Sequence, residues 1–184
     1  MSKHICPWWL GYFLISPLRK LRQDPDKIFA PYALEGATAL DIGCGMGYFS
    51  LPLAHKVGES GKVFCVDLQE KMIRKLEKRV KRAGLEGRIK TSICPKNSVG
   101  LEDMKGKFDF ILAFAVVHEL PDGANFFREA ATLLKPEGKL LLSEPAGHVS
   151  YDEFQETLKA AEEVGLKIIE TPSIKLSHAA LMAK

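Results

Sequence analysis

From residue 39 onward, short apolar runs alternate with segments that have the spacing of amphipathic helices. No other feature of the chain constrains its fold as strongly. Strands are predicted over residues 39–42, 63–67, 88–94, 108–114 and 139–143, and helices over 48–57, 69–83 and 122–134. Because strands that alternate with helices pair in parallel, the pattern predicts an α/β fold built on a parallel sheet.

Local capping signals mark several of the helix ends. Asp24 followed by Pro25 is typical of an N-cap and the first helical position. Gly84 is expected to end the helix over residues 69–83. Ser150 and Glu153 have the spacing of a capping box and predict one further helix, which runs to residue 164.

The first predicted strand leads into a turn with three alternating glycines. Asp41 is followed by Gly43, Gly45 and Gly47. Glycine permits positive φ and lets the backbone approach a ligand without interference from a Cβ. The helix that follows offers unpaired N–H groups at its start. The turn therefore indicates a nucleotide cofactor, although many glycine clusters are only turns.

A second acid ends the second predicted strand. Asp67 closes the run Lys62 to Asp67 and lies about twenty residues beyond the glycine turn. Nucleotide-binding α/β folds place a ribose-binding carboxylate at this position. The two features together favour the cofactor interpretation over a plain turn.

The third glycine of the turn indicates which cofactor to expect. The dinucleotide fingerprint G-x-G-x-x-G needs a glycine where this chain has Tyr48, so a nicotinamide dehydrogenase is disfavoured. The pattern Asp-x-Gly-x-Gly-x-Gly instead resembles the first motif of the class I S-adenosylmethionine (SAM) methyltransferases. The resemblance runs from about Thr38 to Lys184 and includes FDFIL at 108–112, VVHEL at 116–120 and LKPEGKLLLSEP at 134–145.

The resemblance implies a fold, a domain organisation and an activity. The fold is a Rossmann-like, seven-stranded, mostly parallel sheet with helices on both faces, closed by an antiparallel hairpin from residues 167–171 and 179–183. A single domain would cover residues 1–184, with an N-terminal helical or lid segment over 1–37 and the SAM-binding core over 38–184. The broad group containing the ubiquinone and menaquinone C-methyltransferases is the most similar, which implies a small, apolar or aromatic methyl acceptor.

The resemblance also implies which residues hold SAM. SAM has no phosphates but has a cationic end, which suits a nearby acid better than a pyrophosphate would. The acid concerned is Asp41, and its alternative role is to cap its own turn. An aspartate is missing after the third strand, so Asn97 or Ser98 is expected to contact the adenine amine. The expected cofactor-binding residues are Asp41, Gly43, Cys44, Gly45, Gly47, Asp67, Leu68, Asn97, Ala113 and Phe114.

Two residues after the fourth strand are candidates for catalysis. A phenol, an enol carbon or a protonated amine must lose a proton before it is methylated, and His118 titrates in the right range to act as the base. Glu119 is the weaker candidate, and a purely structural role for His118 stays open. Glu144 could equally be an acceptor for loop N–H groups. His118, Glu144 and His148 lack a fixed metal-ligand spacing, so no metal is predicted.

Net charge and cysteine content bear on which kinds of acceptor and which cellular compartment to expect. A net charge of +3 over 184 residues gives no reason to expect nucleic acid. An RNA methyltransferase and a SAM-binding module without catalysis remain alternatives. The four cysteines form no C-x-x-C pair, which favours a reduced, cytoplasmic protein. Arsenic methyltransferases of this fold bind their substrate with cysteines, so Cys6 and Cys94 keep that acceptor as a minor alternative.

The N-terminal segment is rich in aromatic residues but too short to cross a bilayer. It is predicted to form a lid over a planar acceptor, with helix packing or a homodimer contact as alternatives. Neighbouring basic residues also suggest peripheral contact with a membrane surface. The residues concerned are Trp8, Trp9, Tyr12, Phe13, Arg19, Lys20 and Arg22.

Overall fold

The computed structural model describes residues 7–184, apart from the side chains of Leu10, Tyr12 and Leu14. These residues form two compact units, an N-terminal unit over 7–94 and a C-terminal unit over 95–184. The predictions made for Cys6 and for the Tyr12 side chain lie outside the described residues. Within residues 7–184, every helix is too short or too polar to cross a membrane.

The N-terminal unit contains three parallel strands in the order β3-β2-β1. Its strands are β1 Thr38–Ile42, β2 Lys62–Asp67 and β3 Ile89–Ile93. Its α-helices are α1 Gly11–Leu14, α2 Pro25–Phe29, α3 Ser50–Lys56 and α4 Glu70–Ala83, and 3₁₀ turns cover Trp8–Leu10 and Pro17–Leu21. β1 and β2 are buried almost throughout, as apolar strands of a parallel sheet must be.

The C-terminal unit contains four strands in the order β4-β5-β7-β6. Its elements are β4 Phe108–Phe114, α5 Gly123–Leu133, β5 Leu134–Pro145, α6 Tyr151–Glu162, β6 Lys167–Glu170 and β7 Ser177–Ala183, with 3₁₀ turns over Glu102–Met104 and Val117–Glu119. β4 pairs with β5 in parallel, whereas β7 is antiparallel to both β5 and β6. The predicted fold class, a seven-stranded and mostly parallel sheet with an antiparallel end, is confirmed.

Helix α4 illustrates how the apolar spacing of the sequence sets packing. Met72, Ile73, Leu76 and Val80 recur at helical spacing and are buried, while the basic residues between them face solvent. Gly84 ends the helix with a φ of 65°, the left-handed conformation expected at this position. Most of the surface that this helix presents is therefore a solvated face with basic residues.

The capping signals are confirmed at two helix starts. The Asp24 carboxylate accepts a hydrogen bond from the Asp26 N–H at 3.1 Å, and α2 begins at Pro25. The Ser150 N–H donates to the Glu153 carboxylate at 2.8 Å while the Glu153 N–H donates back to the Ser150 hydroxyl. These reciprocal bonds satisfy two of the donors that a helix N-terminus leaves without a partner.

Several predicted boundaries differ from the structure by one residue or more, and glycine is involved in two of them. Helix α3 begins at Ser50 rather than near residue 48, because Gly47 adopts a φ of 80° and the turn continues past it. Strand β5 begins at Leu134 rather than Lys139, although residues 135–138 interrupt its pairing with β4, which becomes regular from Lys139 onward. A Cβ at Gly138 would lie 2.7 Å from the Phe108 carbonyl oxygen, so glycine lets the two strands approach each other here.

Candidate active site

The glycine turn of the N-terminal unit is hydrogen-bonded to the carboxyl end of β2. The N–H groups of Gly43 and Cys44 both donate to the Val66 carbonyl, at 2.9 and 3.1 Å. Gly43, Gly45 and Gly47 have φ values of 70°, 52° and 80°. Residues with a Cβ avoid this left-handed region, so the turn depends on the three glycines that the sequence places there.

The last two glycines of the turn have different surroundings. A Cβ at Gly45 would meet no atom within 4 Å, so this side of the turn is open. A Cβ at Gly47 would overlap Leu76 and lie 2.9 Å from the Leu51 side chain. A side chain at Gly47 would therefore have to displace two leucine side chains, of which Leu76 is fully buried, whereas Gly45 leaves room for a ligand to approach the backbone.

This difference predicts unequal losses of stability for two matched substitutions. Gly47→Ala is expected to lower the free energy of unfolding by about 3 kcal/mol, because overpacking adds to the strain of a positive φ. Gly45→Ala is expected to cost about 1 kcal/mol, from the positive φ alone, and to weaken ligand binding. Urea denaturation of both variants measures the difference. Equal losses of stability would contradict the packing role of Gly47.

Asp67 lies beside the open side of the turn. Its carboxylate accepts hydrogen bonds from the Gly45 N–H at 2.9 Å and from the Gln69 N–H at 2.8 Å. Burial raises the pKa of this carboxyl, and the two backbone bonds act in the opposite direction. The structure thus brings together Gly45 and Asp67, two residues that the sequence predicted for one site. A carboxylate has about four acceptor positions, so further hydrogen bonds from a ligand are compatible with this geometry.

Asp41 is the most deeply buried acid of the N-terminal unit, with 2% of its surface exposed. Its carboxylate accepts a hydrogen bond from the Ser50 hydroxyl at 2.6 Å. Burial raises its pKa to about 7; Asp67 also raises it, while the Ser50 bond and Arg19 lower it. A carboxylate in this position is suited to a cationic ligand, since a nearby cation would offset the cost of burying the charge. Sequence analysis missed Ser50, which carries no signal beyond its place near a helix start.

The N-terminal segment packs against the same turn. The Arg19 guanidinium lies 4.5 Å above the Tyr48 ring and 5.0 Å from the centre of the Phe49 ring. The Tyr48 hydroxyl donates to the Gln23 carbonyl at 2.8 Å. A Cβ at Gly11 would lie 2.8 Å from the Met46 side chain, so helix α1 also approaches the turn closely. Part of the segment predicted as a lid therefore supports the glycine turn.

The loop after β3 is organised by a residue that sequence analysis missed. Glu129 accepts hydrogen bonds from the Val99 N–H at 2.6 Å and from the Ser98 hydroxyl at 3.0 Å. The Ser98 hydroxyl also accepts from the Gly100 N–H, so it is committed to the loop. The contact of Asn97 or Ser98 with an adenine amine stays a prediction. Glu129 follows β3 by more than thirty residues, which gave the sequence no local signal for its role.

The carboxyl end of β4 continues into a strained turn. Ala113 and Phe114 are buried at the end of the strand, and their contact with a cofactor stays a prediction. Ala115 has a φ of 57°, which is unusual for a residue with a Cβ, and its N–H donates to the Ser143 carbonyl at 2.7 Å. Backbone strain of this kind is concentrated at functional sites. The turn that carries His118 follows directly.

Within the C-terminal unit, His118 is paired with Glu144. One carboxylate oxygen of Glu144 accepts a hydrogen bond from the Val117 N–H at 2.8 Å, and the other contacts His118 Nδ1. Glu144 is buried, with 1% of its surface exposed, while about a fifth of the His118 side chain is exposed. Of the roles open to Glu144 in the sequence, loop acceptor is the one observed. Its contact with the imidazole was not anticipated, because the two residues are 26 positions apart.

The other polar candidates occupy the surroundings of this pair. The His148 ring lies 6.0 Å from the His118 ring, and the Glu119 N–H donates to the Val116 carbonyl. Among residues 7–184, no cluster of three or more His, Cys, Asp or Glu side chains is arranged to hold a metal ion. Cys44 and Cys65 are buried, and burial raises the pKa of the Cys44 thiol.

Comparisons with known proteins agree with this geometry. A family model described as a methyltransferase domain matches residues 34–176. The chain is 32% identical to an arsenite methyltransferase of Aquipseudomonas alcaligenes over 144 residues, which cover 75% of this chain and 42% of that protein. It is 29% identical to a demethylmenaquinone methyltransferase of Geobacillus stearothermophilus over 125 residues, 68% of this chain and 52% of that protein. The chain thus spans about half the length of these relatives.

One solved structure is similar over nearly the whole chain. It is a SAM-dependent methyltransferase from Aquifex aeolicus, with a TM-score of 0.86 and 25% identity. The match covers 97% of this chain and 98% of that one. The likeness therefore includes the N-terminal segment as well as the sheet.

Proposed function

Because the chain belongs to the class I SAM-dependent methyltransferases, we propose that it transfers the methyl group of SAM to a small-molecule acceptor. The observation that carries the proposal is the glycine turn held against Asp67 through the Gly45 N–H. That arrangement offers a carboxylate to the ribose of a nucleoside ligand and leaves the backbone of the turn accessible.

The residues of the N-terminal unit fit SAM in three respects. Asp67 can accept hydrogen bonds from two ribose hydroxyls in addition to its backbone partners. Asp41 is a buried anion that a cationic methionine end would stabilise. Leu68 is partly exposed directly after Asp67 and supplies an apolar surface for a flat ring. When bound, SAM supplies a methyl group already activated by a sulfonium.

On this proposal, residues of the C-terminal unit remove a proton from the methyl acceptor. His118 follows the carboxyl end of β4, the edge of a parallel sheet at which ligands bind. It acts as the base for acceptors that must lose a proton, with Glu119 as a secondary candidate. The acceptor is proposed to be small and apolar or aromatic, which is supported by the similarity to a demethylmenaquinone methyltransferase.

Methyl-labelled SAM tests the function directly. The pure protein is incubated with labelled SAM and extract of its source cells, and the label is then partitioned into lipid, small polar, protein and nucleic-acid fractions. Label in a small-molecule fraction is expected. Label in RNA would instead favour the RNA methyltransferase alternative. SAM binding without label in any fraction would favour the non-catalytic module.

The N-terminal segment carries a separate proposal, namely peripheral contact with a membrane surface. The exposed fractions of Trp9 and Phe13 are 53% and 72%, and Leu18 and Leu21 in the same segment are also exposed. Clustered apolar side chains of this kind bind interfaces, burying themselves among the lipid chains. The alternative, a homodimer formed through the same surface, predicts a concentration-dependent molecular mass instead.

Trp9→Ser combined with Phe13→Ser is expected to weaken binding to vesicles containing anionic lipid by about 10-fold, because two apolar side chains no longer enter the interface. Vesicle co-sedimentation measures the change. Ile169→Ser, which alters an exposed apolar residue on β6, is the control and should leave binding unchanged. Equal binding by all three proteins would contradict membrane contact through this segment.

A further inference from the structure

We infer that Glu144 is a positioning residue that makes His118 a general base, and that the methyl acceptor is therefore a group that must lose a proton. Among acceptors of that kind, a weakly acidic phenol or enol agrees with the small, apolar or aromatic acceptor already proposed. The inference rests on the proposed methyl transfer and specifies its acceptor. It depends on how rigidly the structure holds Glu144 and the turn of His118, and on which imidazole nitrogen contacts Glu144.

Glu144 is held rigidly within the C-terminal unit. It lies in β5, which pairs with β4 on one side and with β7 on the other, and its backbone is in register with His178 of β7. One of its oxygens is fixed by the Val117 N–H at 2.8 Å. Because the carboxylate is planar and buried, fixing one oxygen also fixes the direction of the other, which contacts His118.

The turn that carries His118 is held with equal precision. Ala115 enters it at a φ of 57°, with its N–H bonded to the Ser143 carbonyl in the residue before Glu144. Val117 is buried and donates its own N–H to Glu144. Two consecutive residues of β5 therefore bind the same turn. A strained conformation is retained where the surrounding contacts determine it, which is common at catalytic sites.

The contact between Glu144 and Nδ1 concerns the placement of the hydrogen on the imidazole. A carboxylate accepts hydrogen bonds, so we assign the ring hydrogen to Nδ1 of His118 and the lone pair to Nε2. Among the described residues, Glu144 on β5 and His148 in the loop after β5 are titratable groups next to the ring, and Glu119 follows His118 in the same turn. Glu144 also stabilises the imidazolium that forms when Nε2 takes up a proton.

The reaction step balances with these groups. The hydroxyl of the acceptor gives its proton to Nε2 of His118 while its oxygen, or the carbon conjugated with it, forms the bond to the methyl carbon. The bond between that carbon and sulfur breaks, and sulfur keeps the electron pair as a neutral thioether. The imidazolium then releases its proton to solvent. The exposed His148 ring lies 6.0 Å from the His118 ring.

An acceptor with no proton to lose would gain nothing from this pair. Arsenite binds to thiols and attacks through a lone pair, so a base does not assist it. Among residues 7–184, Cys44 and Cys65 are buried and only Cys94 is partly exposed. The similarity to an arsenite methyltransferase therefore does not extend to an evident thiol site in the described residues.

Nuclear magnetic resonance of ¹⁵N-labelled histidine tests the positioning role without any methyl transfer. Wild-type protein is expected to show His118 as the Nδ1–H tautomer. Glu144→Gln should favour the Nε2–H tautomer, because its amide can donate to Nδ1, and should lower the pKa of His118 by about one unit or more. Glu137→Gln, an exposed position on the same strand, is the control. An unchanged tautomer and pKa in Glu144→Gln would overturn the inference.

Kinetics with substituted phenols of graded acidity test the acceptor class. Glu144→Gln is expected to lower kcat by about 100-fold for weakly acidic phenols, with KM nearly unchanged. The loss should disappear for nitrophenols that are already ionised. An equal loss for both kinds would indicate a structural role, and label transferred only to an acceptor without an ionisable proton would overturn the acceptor class. Failure to transfer label to anything, with SAM bound, would count against the proposed function instead.

Discussion

Asp67→Asn is expected to weaken SAM binding by about 100-fold, because two hydrogen bonds from ribose hydroxyls to a charged acceptor are lost or weakened. The substitution keeps the shape of the side chain, and its amide oxygen can still accept one of the two backbone N–H groups that Asp67 now binds. Isothermal titration calorimetry with SAM and with its demethylated product measures the change. Both ligands should lose affinity equally, since their ribose is identical.

Glu70→Gln is the matched control for this experiment. Glu70 lies at the start of α4, is exposed, and pairs with Arg74 at 2.6 Å. Its neutralisation changes the net charge by the same amount at a nearby position and should leave the affinity within about twofold, as expected for an exposed ion pair. Urea denaturation separates lost binding from lost folding. An Asp67→Asn protein that is folded and binds SAM as tightly as wild type would refute the ribose assignment.

Asp41→Asn is expected to stabilise the free protein and to weaken SAM binding at the same time. The pKa of Asp41 is raised from 3.8 to about 7, mainly by burial. The folded state therefore retains a proton that the unfolded state has already lost between these two values. Stability due to this group falls as pH rises from about 4 to about 7 and is constant above that range. Asparagine carries no charge and keeps an acceptor for the Ser50 hydroxyl.

The size of this effect follows from linkage. Each unit of pKa shift is worth about 1.4 kcal/mol, so the upper bound on the gain from Asp41→Asn is about 4 kcal/mol at pH 8. The gain should nearly vanish at pH 4. Denaturant unfolding of both proteins at the two pH values measures it. Asp103→Asn, an exposed acid, is the control and should show no such difference.

Saturating SAM provides a second check on Asp41. If the carboxylate pairs with the cationic end of SAM, the bound cofactor offsets the cost of the buried charge and stabilises wild type more than Asp41→Asn. Equal stabilisation of both proteins by SAM would mean that Asp41 serves the turn alone. At each pH, the gain is the free energy of unfolding of Asp41→Asn minus that of wild type. A gain at pH 8 no larger than the gain at pH 4 would mean that folding does not raise the pKa of the Asp41 carboxyl.

Much of the fold is readable in the sequence because its signals are local. The spacing of Met72, Leu76 and Val80 requires a helix with one apolar side, and Gly84 marks where that helix stops. The boundaries that were misjudged depend on contacts far along the chain. A Cβ at Gly138 would lie 2.7 Å from the Phe108 carbonyl oxygen, and nothing in the neighbouring residues reveals that approach.

The residues of the candidate site likewise include some that the sequence indicated and some that only the structure revealed. The sequence alone identified the glycine turn and Asp67, because motif spacing encodes the carboxyl ends of adjacent parallel strands, and it singled out His118. Only the tertiary structure showed that Ser50 binds Asp41, that Glu129 holds the loop of Ser98, and that Glu144 holds His118. These partners are between 9 and 31 positions apart. The chemistry of a side chain follows from its residue type, but its proton, its charge and its direction depend on neighbours that only folding brings within hydrogen-bond distance.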